Sequence, residues 1–259
     1  LFISFADIAS AQMNGHNLKG DMGLKSGSQA PPGVYAAGLF TNYGTDTVKN
    51  RFGETLNTQG DLSVQAAAGI FNLLAPVKAL GANYGLLVVA GAGNPRIQSP
   101  RLDILANNYG IIATYVQHTL GWHFGRADLI AGSGTFLPTG RYKKDADDNI
   151  GLGMWTNEFS IGSTVFFDAE KKYHFSTTAF YEIHTNKKDQ DLKVGDILTL
   201  EGGVGRDFAG GLMSTGVAYF TQWKMTPDGG SDFPSIPGMD RTNDQAYGVG
   251  PEVLFPIGN

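Results

Sequence analysis

The 259-residue chain is long enough for one barrel or sandwich and at most two ordinary domains. Its 19 basic and 24 acidic side chains leave a net charge of −5, so it lacks the basic balance of a nucleic-acid binder. Charged residues are 17% of the chain, 36 residues are Gly and 11% are aromatic. That is low in charge and about double in Gly for a soluble domain, and too aromatic for a disordered chain.

There is no cysteine, which removes disulfides and thiolate chemistry. No apolar run approaches the roughly 18 residues of a transmembrane helix. The best internal candidate, Leu86-Leu87-Val88-Val89-Ala90-Gly91-Ala92-Gly93, is too short. At the start, residues 1–11 read as the back half of a secretory signal peptide. The stretch is apolar and ends in the small-x-small pattern Ala9-Ser10-Ala11, with Gln12 as the mature start. Asp7 and the missing basic region favour the alternative of a short amphipathic helix. Residues 12–30 carry no alternation and hold Gly15, Gly20, Gly23 and Gly27 among polar side chains.

From Gly33 onward the pattern has period two, and residues 31–259 are expected to form the barrel. Strands are predicted over 33–43, 61–73, 83–92, 109–124, 126–138, 154–168, 172–184, 195–208, 211–225 and 243–256. Short connections such as Gly125, 169–171 and 209–210 alternate with long ones at 44–60, 93–108, 139–153, 185–194 and 226–242. That asymmetry is the loop pattern of an outer-membrane barrel. Each strand has one apolar and one small-polar face. Phe159, Ile161 and Val165 oppose Glu158, Ser160 and Thr164; Phe175 and Tyr181 oppose His174 and Glu182; Val249 and Val253 oppose Gly250 and Glu252. Aromatic residues near strand ends, among them Tyr35, Tyr43, Trp122 and Trp223, suit interfacial girdles. The predicted fold class is therefore all-β, an antiparallel transmembrane β-barrel. A soluble sandwich or a lipocalin-like barrel is the alternative.

Several stretches resemble the outer-membrane proteins associated with the meta pathway of phenol degradation. They are Pro31-Pro32-Gly33-Val34-Tyr35, Gly121-Trp122-His123-Phe124-Gly125, Phe136-Leu137-Pro138-Thr139-Gly140-Arg141-Tyr142, Tyr181-Glu182-Ile183-His184-Thr185-Asn186 and Gly248-Val249-Gly250-Pro251-Glu252-Val253. The resemblance implies a barrel of about twelve strands, an N-terminal segment folded into the lumen, and uptake of hydrophobic small molecules. Ten strands are predicted here and the chain stops just after the last. The expectation is that a final hairpin is missing and that strands 33–43 and 243–256 do not pair.

Candidate chemistry is sparse. His118 and His123 face opposite sides, and His174 and His184 lie roughly 33 Å apart along a strand, so neither pair makes a metal site. Glu182 and His184 share a face, about 7 Å apart, and are expected to form a polar pair. A Ser176–His174 nucleophile pair has no supporting motif, and Gly202-Gly203-Val204-Gly205 resembles a phosphate loop only in composition. No enzyme activity, cofactor or metal is expected. The lumen residues are expected to be Glu158, Glu182, His184, Glu201, Glu252, His174, Phe180 and Phe220, with Phe71 and Phe166 also inward. Two readings of the glutamates stay open: solvated pore-lining charges, or acceptors that hold a plug. The plug residues are expected to be His16, Asn17, Lys19, Asp21 and Lys25, with Lys19 or Lys25 near an inward glutamate. Arg206 and Lys224 are the other candidate inward cations. The functional expectation is a monomeric channel in outer-membrane lipid that takes up small hydrophobic, aromatic-type solutes. A general diffusion porin for hydrophilic solutes, or a lipid-modifying barrel enzyme, is the alternative.

Overall fold

The computed structural model describes residues 14–45, 48–49, 55–56, 61–99, 104–144, 146, 149–233 and 245–255. The signal-peptide reading, Gln12 and the chain end at 256–259 lie outside the described residues. Ten long strands carry the fold: β1 (Gly33–Thr45), β2 (Asp61–Ala79), β3 (Ala82–Ser99), β4 (Thr114–Phe124), β5 (Ala127–Leu137), β6 (Thr156–Phe166), β7 (Tyr173–His184), β8 (Ile197–Phe208), β9 (Met213–Lys224) and β10 (Gln245–Leu254). Each pairs antiparallel with the next, in one sheet that runs from β1 to β10 in chain order. Among the described residues β1 and β10 are the two edges and do not pair with each other.

All ten predicted strands are present, with two differences. β2 and β3 are longer than expected. A register shift between Ala75 and Lys78, at Pro76, lets β2 continue past a residue that cannot donate to the ladder. The stretch predicted as one strand over 109–124 divides. Gly110–Ile111 pairs with Ala92 and Gly93 in the middle of β3, and β4 starts only at Thr114. The short Ile104–Asn107 also pairs with β3, and Val48–Lys49 pairs with Thr55–Leu56.

The short turns, at 80–81, 125–126, 167–172 and 209–212, all lie at one end. The long connections all lie at the other. Three of the long connections fold on one another. Met154, Leu192, Val194 and Ile197 form a small apolar core, with Leu152 and Phe233 against it. Asp191 ties this cap together by accepting from the Ser231 N–H and hydroxyl, each at 2.9 Å, and from Asn186 at 3.1 Å. Those donors hold its carboxyl below the usual carboxylate range.

Elsewhere burial is inverted. Glu158, Glu182, Glu201, His174, Thr164 and Ser176 are buried. Phe159, Ile161, Val249 and Val253 are at least half exposed. Side chains alternate across a strand, so the polar set faces the concave side and the apolar set the convex side. Phe71 contradicts its expected place. The inward face of β2 is set by Leu74, which stands over Gly85 and Gln29, so odd-numbered Phe71 points outward and is 46% exposed. Arg206 is also outward, stacked over Tyr173 at 5.0 Å and Phe208 at 4.6 Å.

The β2–β3 turn yields a stability prediction. Leu80 and Gly81 both have positive φ, 53° and 76°, the pattern of a type I′ hairpin. Leucine is disfavoured there by roughly 1–2 kcal/mol. Its side chain is 86% exposed and loses little if replaced. Leu80→Asn should raise stability by about 1 kcal/mol in equilibrium urea unfolding of the folded protein.

Candidate functional site

The concave side of the sheet holds the chain's own N-terminal segment, Asn14 to Gln29. Its backbone is irregular apart from a single 3₁₀ turn at Gly23–Lys25, so most of its N–H groups need partners from outside. Three inward glutamates on three strands supply several of them, and a fourth, Glu158, takes a side-chain donor. Glu182 Oε1 accepts from the N–H of His16 at 2.7 Å and of Asn17 at 3.0 Å. Glu201 accepts from Gly20 N at 2.9 Å and from Met22 N at 3.2 Å, one bond to each oxygen. Glu252 Oε2 accepts from Leu24 N at 3.0 Å. Glu158 accepts the Asn17 side-chain amide at 3.3 Å and the Tyr115 hydroxyl at 2.5 Å. Glu158 and Glu182 stand directly opposite each other across β6 and β7. Like charges in that register would repel, and the donors from the segment and Tyr115 stabilise the facing carboxyl oxygens. Of the two readings open for the glutamates, the geometry matches the one in which they hold the segment. The donors described are main-chain N–H groups together with the Asn17 side-chain amide, while Lys25 goes to Asp207.

Lower in the barrel, toward the short turns, hydroxyls and aspartates take over. Ser26 Oγ and the Gly27 N–H both reach Ser176 Oγ, at 3.1 and 2.8 Å. Ser28 donates to Asp128 at 2.8 Å, and Gln29 to Thr119 at 3.0 Å. Lys25 binds Asp207 at 2.8 Å and not a glutamate. The Ser176 hydroxyl, considered above as a nucleophile, is thus engaged by the segment and by Thr164 at 2.8 Å.

Leu24 was not foreseen as an anchor. It is fully buried above Gly203, Gly205 and Gly216; a Cβ at any of the three would lie 2.7–3.2 Å from its methyl carbons. The inward glycines of β8 and β9 therefore clear a seat for one leucine. The clue was in the sequence, since Gly203 and Gly205 share the face of Glu201, but nothing there named the residue that fills the space. Tyr115, Asp128 and Asp207 were likewise missed.

The remaining expected residues are inward but in looser contact. His16 Nδ1 is 2.8 Å from Thr156 Oγ1, and its ring stacks on Phe136 at 4.9 Å. His184 Nε2 is 3.9 Å from Glu182 Oε1, an electrostatic pair longer than a hydrogen bond. His174 is buried beside Phe166, with Nδ1 3.9 Å from Asp207. Asp21 lies beside Glu201, close enough for a hydrogen bond between the two carboxyl groups. Phe180 is buried. Phe220 packs under Gly20 and across from Gly248. Lys19 is partly buried on the same stretch of the segment. Lys224 is inward but pairs at 2.8 Å with Asp228 in the cap. Among the described residues no group of three His, Cys, Asp or Glu side chains could hold a metal ion.

Two predictions follow from these contacts. Gly23 has φ +54°, and a Cβ there would sit 2.0 Å from Glu252 Oε2. Gly23→Ala should lift the segment off Glu252 and speed limited proteolysis within residues 14–28 at least several-fold, with the barrel itself still resistant. The second concerns the cap. Lys187 donates to Leu152 O at 3.1 Å, and burial lowers its pKa to about 8, opposed by Asp228. Its folded value lies below its ordinary 10.5, so the unfolded cap binds the extra proton between those two pH values. Cap stability should therefore rise as pH goes from about 8 to about 10, by up to roughly 3 kcal/mol. Hydrogen exchange of residues 185–196, corrected for intrinsic pH dependence, should show that rise, and Lys187→Met should flatten it.

With the geometry described, comparison with known proteins adds two findings. The fold matches the crystal structure of an outer membrane channel from Pseudomonas putida F1 with a TM-score of 0.68, at 14% sequence identity, over 90% of this chain and 86% of that one. No curated protein matches the sequence. A family model described as the MetA-pathway of phenol degradation matches residues 39–259. The chain therefore belongs to that phenol-degradation family.

Proposed function

We propose that the protein is an outer-membrane channel that takes up small, mainly apolar solutes, with residues 14–29 as a plug in its lumen. The observation that carries this reading is the inverted wall: exposed Phe159, Ile161, Val249 and Val253 outside, buried glutamates and serines inside. Such a wall suits a hydrocarbon solvent, where antiparallel strands that keep their ladder bonds are one of two viable spanning structures. The likeness to an outer membrane channel and the family's phenol-degradation description agree with it and favour aromatic-type solutes.

The alternative of a general diffusion porin is favoured by the four inward carboxylates. Their oxygens, however, are largely taken by the segment, so they present little free charge to a passing ion. A lipid-modifying enzyme would need a free nucleophile, and the Ser176 hydroxyl is engaged by Gly27, Ser26 and Thr164.

The test is conductance in planar bilayers. Full-length protein should pass a small current, and deletion of residues 14–28 should raise single-channel current several-fold. An equal current from both forms would mean that the segment does not obstruct the pore. Membrane fractionation of the expressing cells should recover the protein with the outer membrane; recovery in the soluble fraction would overturn the reading altogether.

A further inference from the structure

The lumen has two unlike walls, and the segment meets them unequally: Gln29 alone is placed against Leu74 and Gly85, while the hydrogen bonds described above run to the other wall. The bonds that hold residues 16–29 reach Thr119 on β4, Asp128 on β5, Glu158 on β6, Ser176 on β7, Glu201 on β8 and Glu252 on β10. The opposite wall is built by β1, β2 and β3. Its inward positions follow from register. Leu74 pairs with Gly85 and with Gly33, and Gly85 pairs with Thr119. A Cβ at Gly85 would touch Thr119, Leu74 and Gln29, so this layer faces the lumen. Two-residue steps from it put Ala37 and Leu39 of β1, Ile70 and Leu74 of β2, and Leu87 and Val89 of β3 on the same face. No charged residue occupies an inward position over 33–41, 64–74 or 83–93.

This wall is accessible as well as uncharged. Leu39, Ile70, Leu87 and Val89 are half-buried, whereas Glu158, Glu182 and Glu201 under the segment are fully buried. The same strands are apolar on their outer face, where Phe71 pairs across to Val88. A strand wetted on its inner side gains nothing from Leu or Val there, and lumen faces of porins are ordinarily polar.

We infer that the inner face of β1–β3 is the binding surface for the transported solute, an aisle for a small uncharged aromatic hydrocarbon between this wall and the segment. The inference rests on the channel reading and goes further by assigning the solute to one wall. The complementarity lies in charge. The carboxylate side is occupied by the segment, and an apolar solute's low polarity costs nothing against Ile70, Leu87 and Val89.

The experiment uses the full-length protein, expressed in Gram-negative cells whose lipopolysaccharide leaflet resists apolar dyes. The probe is N-phenyl-1-naphthylamine, whose entry is followed by its fluorescence. Leu87→Asp should slow channel-dependent entry at least five-fold. Val89→Thr, a change of nearly equal volume, should slow it two- to three-fold. Gln222→Glu, which places a charge on inward β9 away from the aisle, should leave it within two-fold. Heat-modifiable electrophoretic migration reports whether each barrel is assembled; if Leu87→Asp fails to assemble, Val89→Thr decides. Wild-type rates from assembled aisle variants would overturn the assignment while leaving the channel reading intact, and so would equal losses from both walls. No gain in entry by wild type over empty-vector cells would overturn the channel reading and the aisle with it.

Discussion

The structure depends on one requirement: a non-repetitive stretch of backbone inside a barrel must have its N–H groups satisfied without a ladder. Water could do this only in an open pore. Here Glu182, Glu201 and Glu252 do it, and each carboxylate reaches from its strand to main-chain donors spaced along the segment. Charge-assisted bonds of this kind are stronger than neutral ones. They also make the arrangement mutual. The carboxyl groups are shielded by the segment, and the segment's main-chain donors are satisfied by the carboxyl oxygens. Removing either partner leaves the other with unmet polar groups in a confined space.

The close approach this demands explains the glycines. At Gly23 any side chain would strike Glu252. On the barrel side the glycines of β8 and β9 do the complementary job, opening a hollow that Leu24 fills. A buried leucine over three glycines gives the segment an apolar anchor midway between the glutamate-bound stretch above and the Ser176, Asp128 and Thr119 contacts below. Hydrogen bonds set its direction, and Leu24 sets its depth.

Most of this architecture was legible in the sequence, because period-two alternation is a property of single strands and survives without knowledge of their partners. The ten strands, the sorting of short turns from long connections, and the polar faces of β6, β7 and β10 all came from that signal. What was not legible came from pairing. Phe71 was misassigned because β2 and β3 are apolar on both faces, so alternation there carries no orientation; only the register of Leu74 against Gly85 fixes it. Arg206 looked like a partner for the inward glutamates by charge, yet its parity places it among Tyr173 and Phe208 outside. The cap was invisible because Leu192, Val194 and Ile197 pack with Met154, some forty residues away in sequence. The segment's main-chain donors were not visible for a related reason. Sequence reading looks for charged side chains opposite charged side chains, and backbone N–H groups leave no mark in composition.

The ambiguity of β2 and β3 is itself informative. A strand with one wet face and one lipid face must alternate, and β6 and β7 do so strictly. Loss of alternation over 84–92 means that the inner face of that wall is not selected for contact with water or with the segment's polar groups. The main-chain donors that hold Glu182, Glu201 and Glu252 run along the other wall, and a carboxylate without such donors in a narrow lumen is costly. Charge therefore collects where the segment lies, and the wall it leaves uncovered stays apolar. The partition of the lumen into a polar half and an apolar half follows from where the backbone donors run.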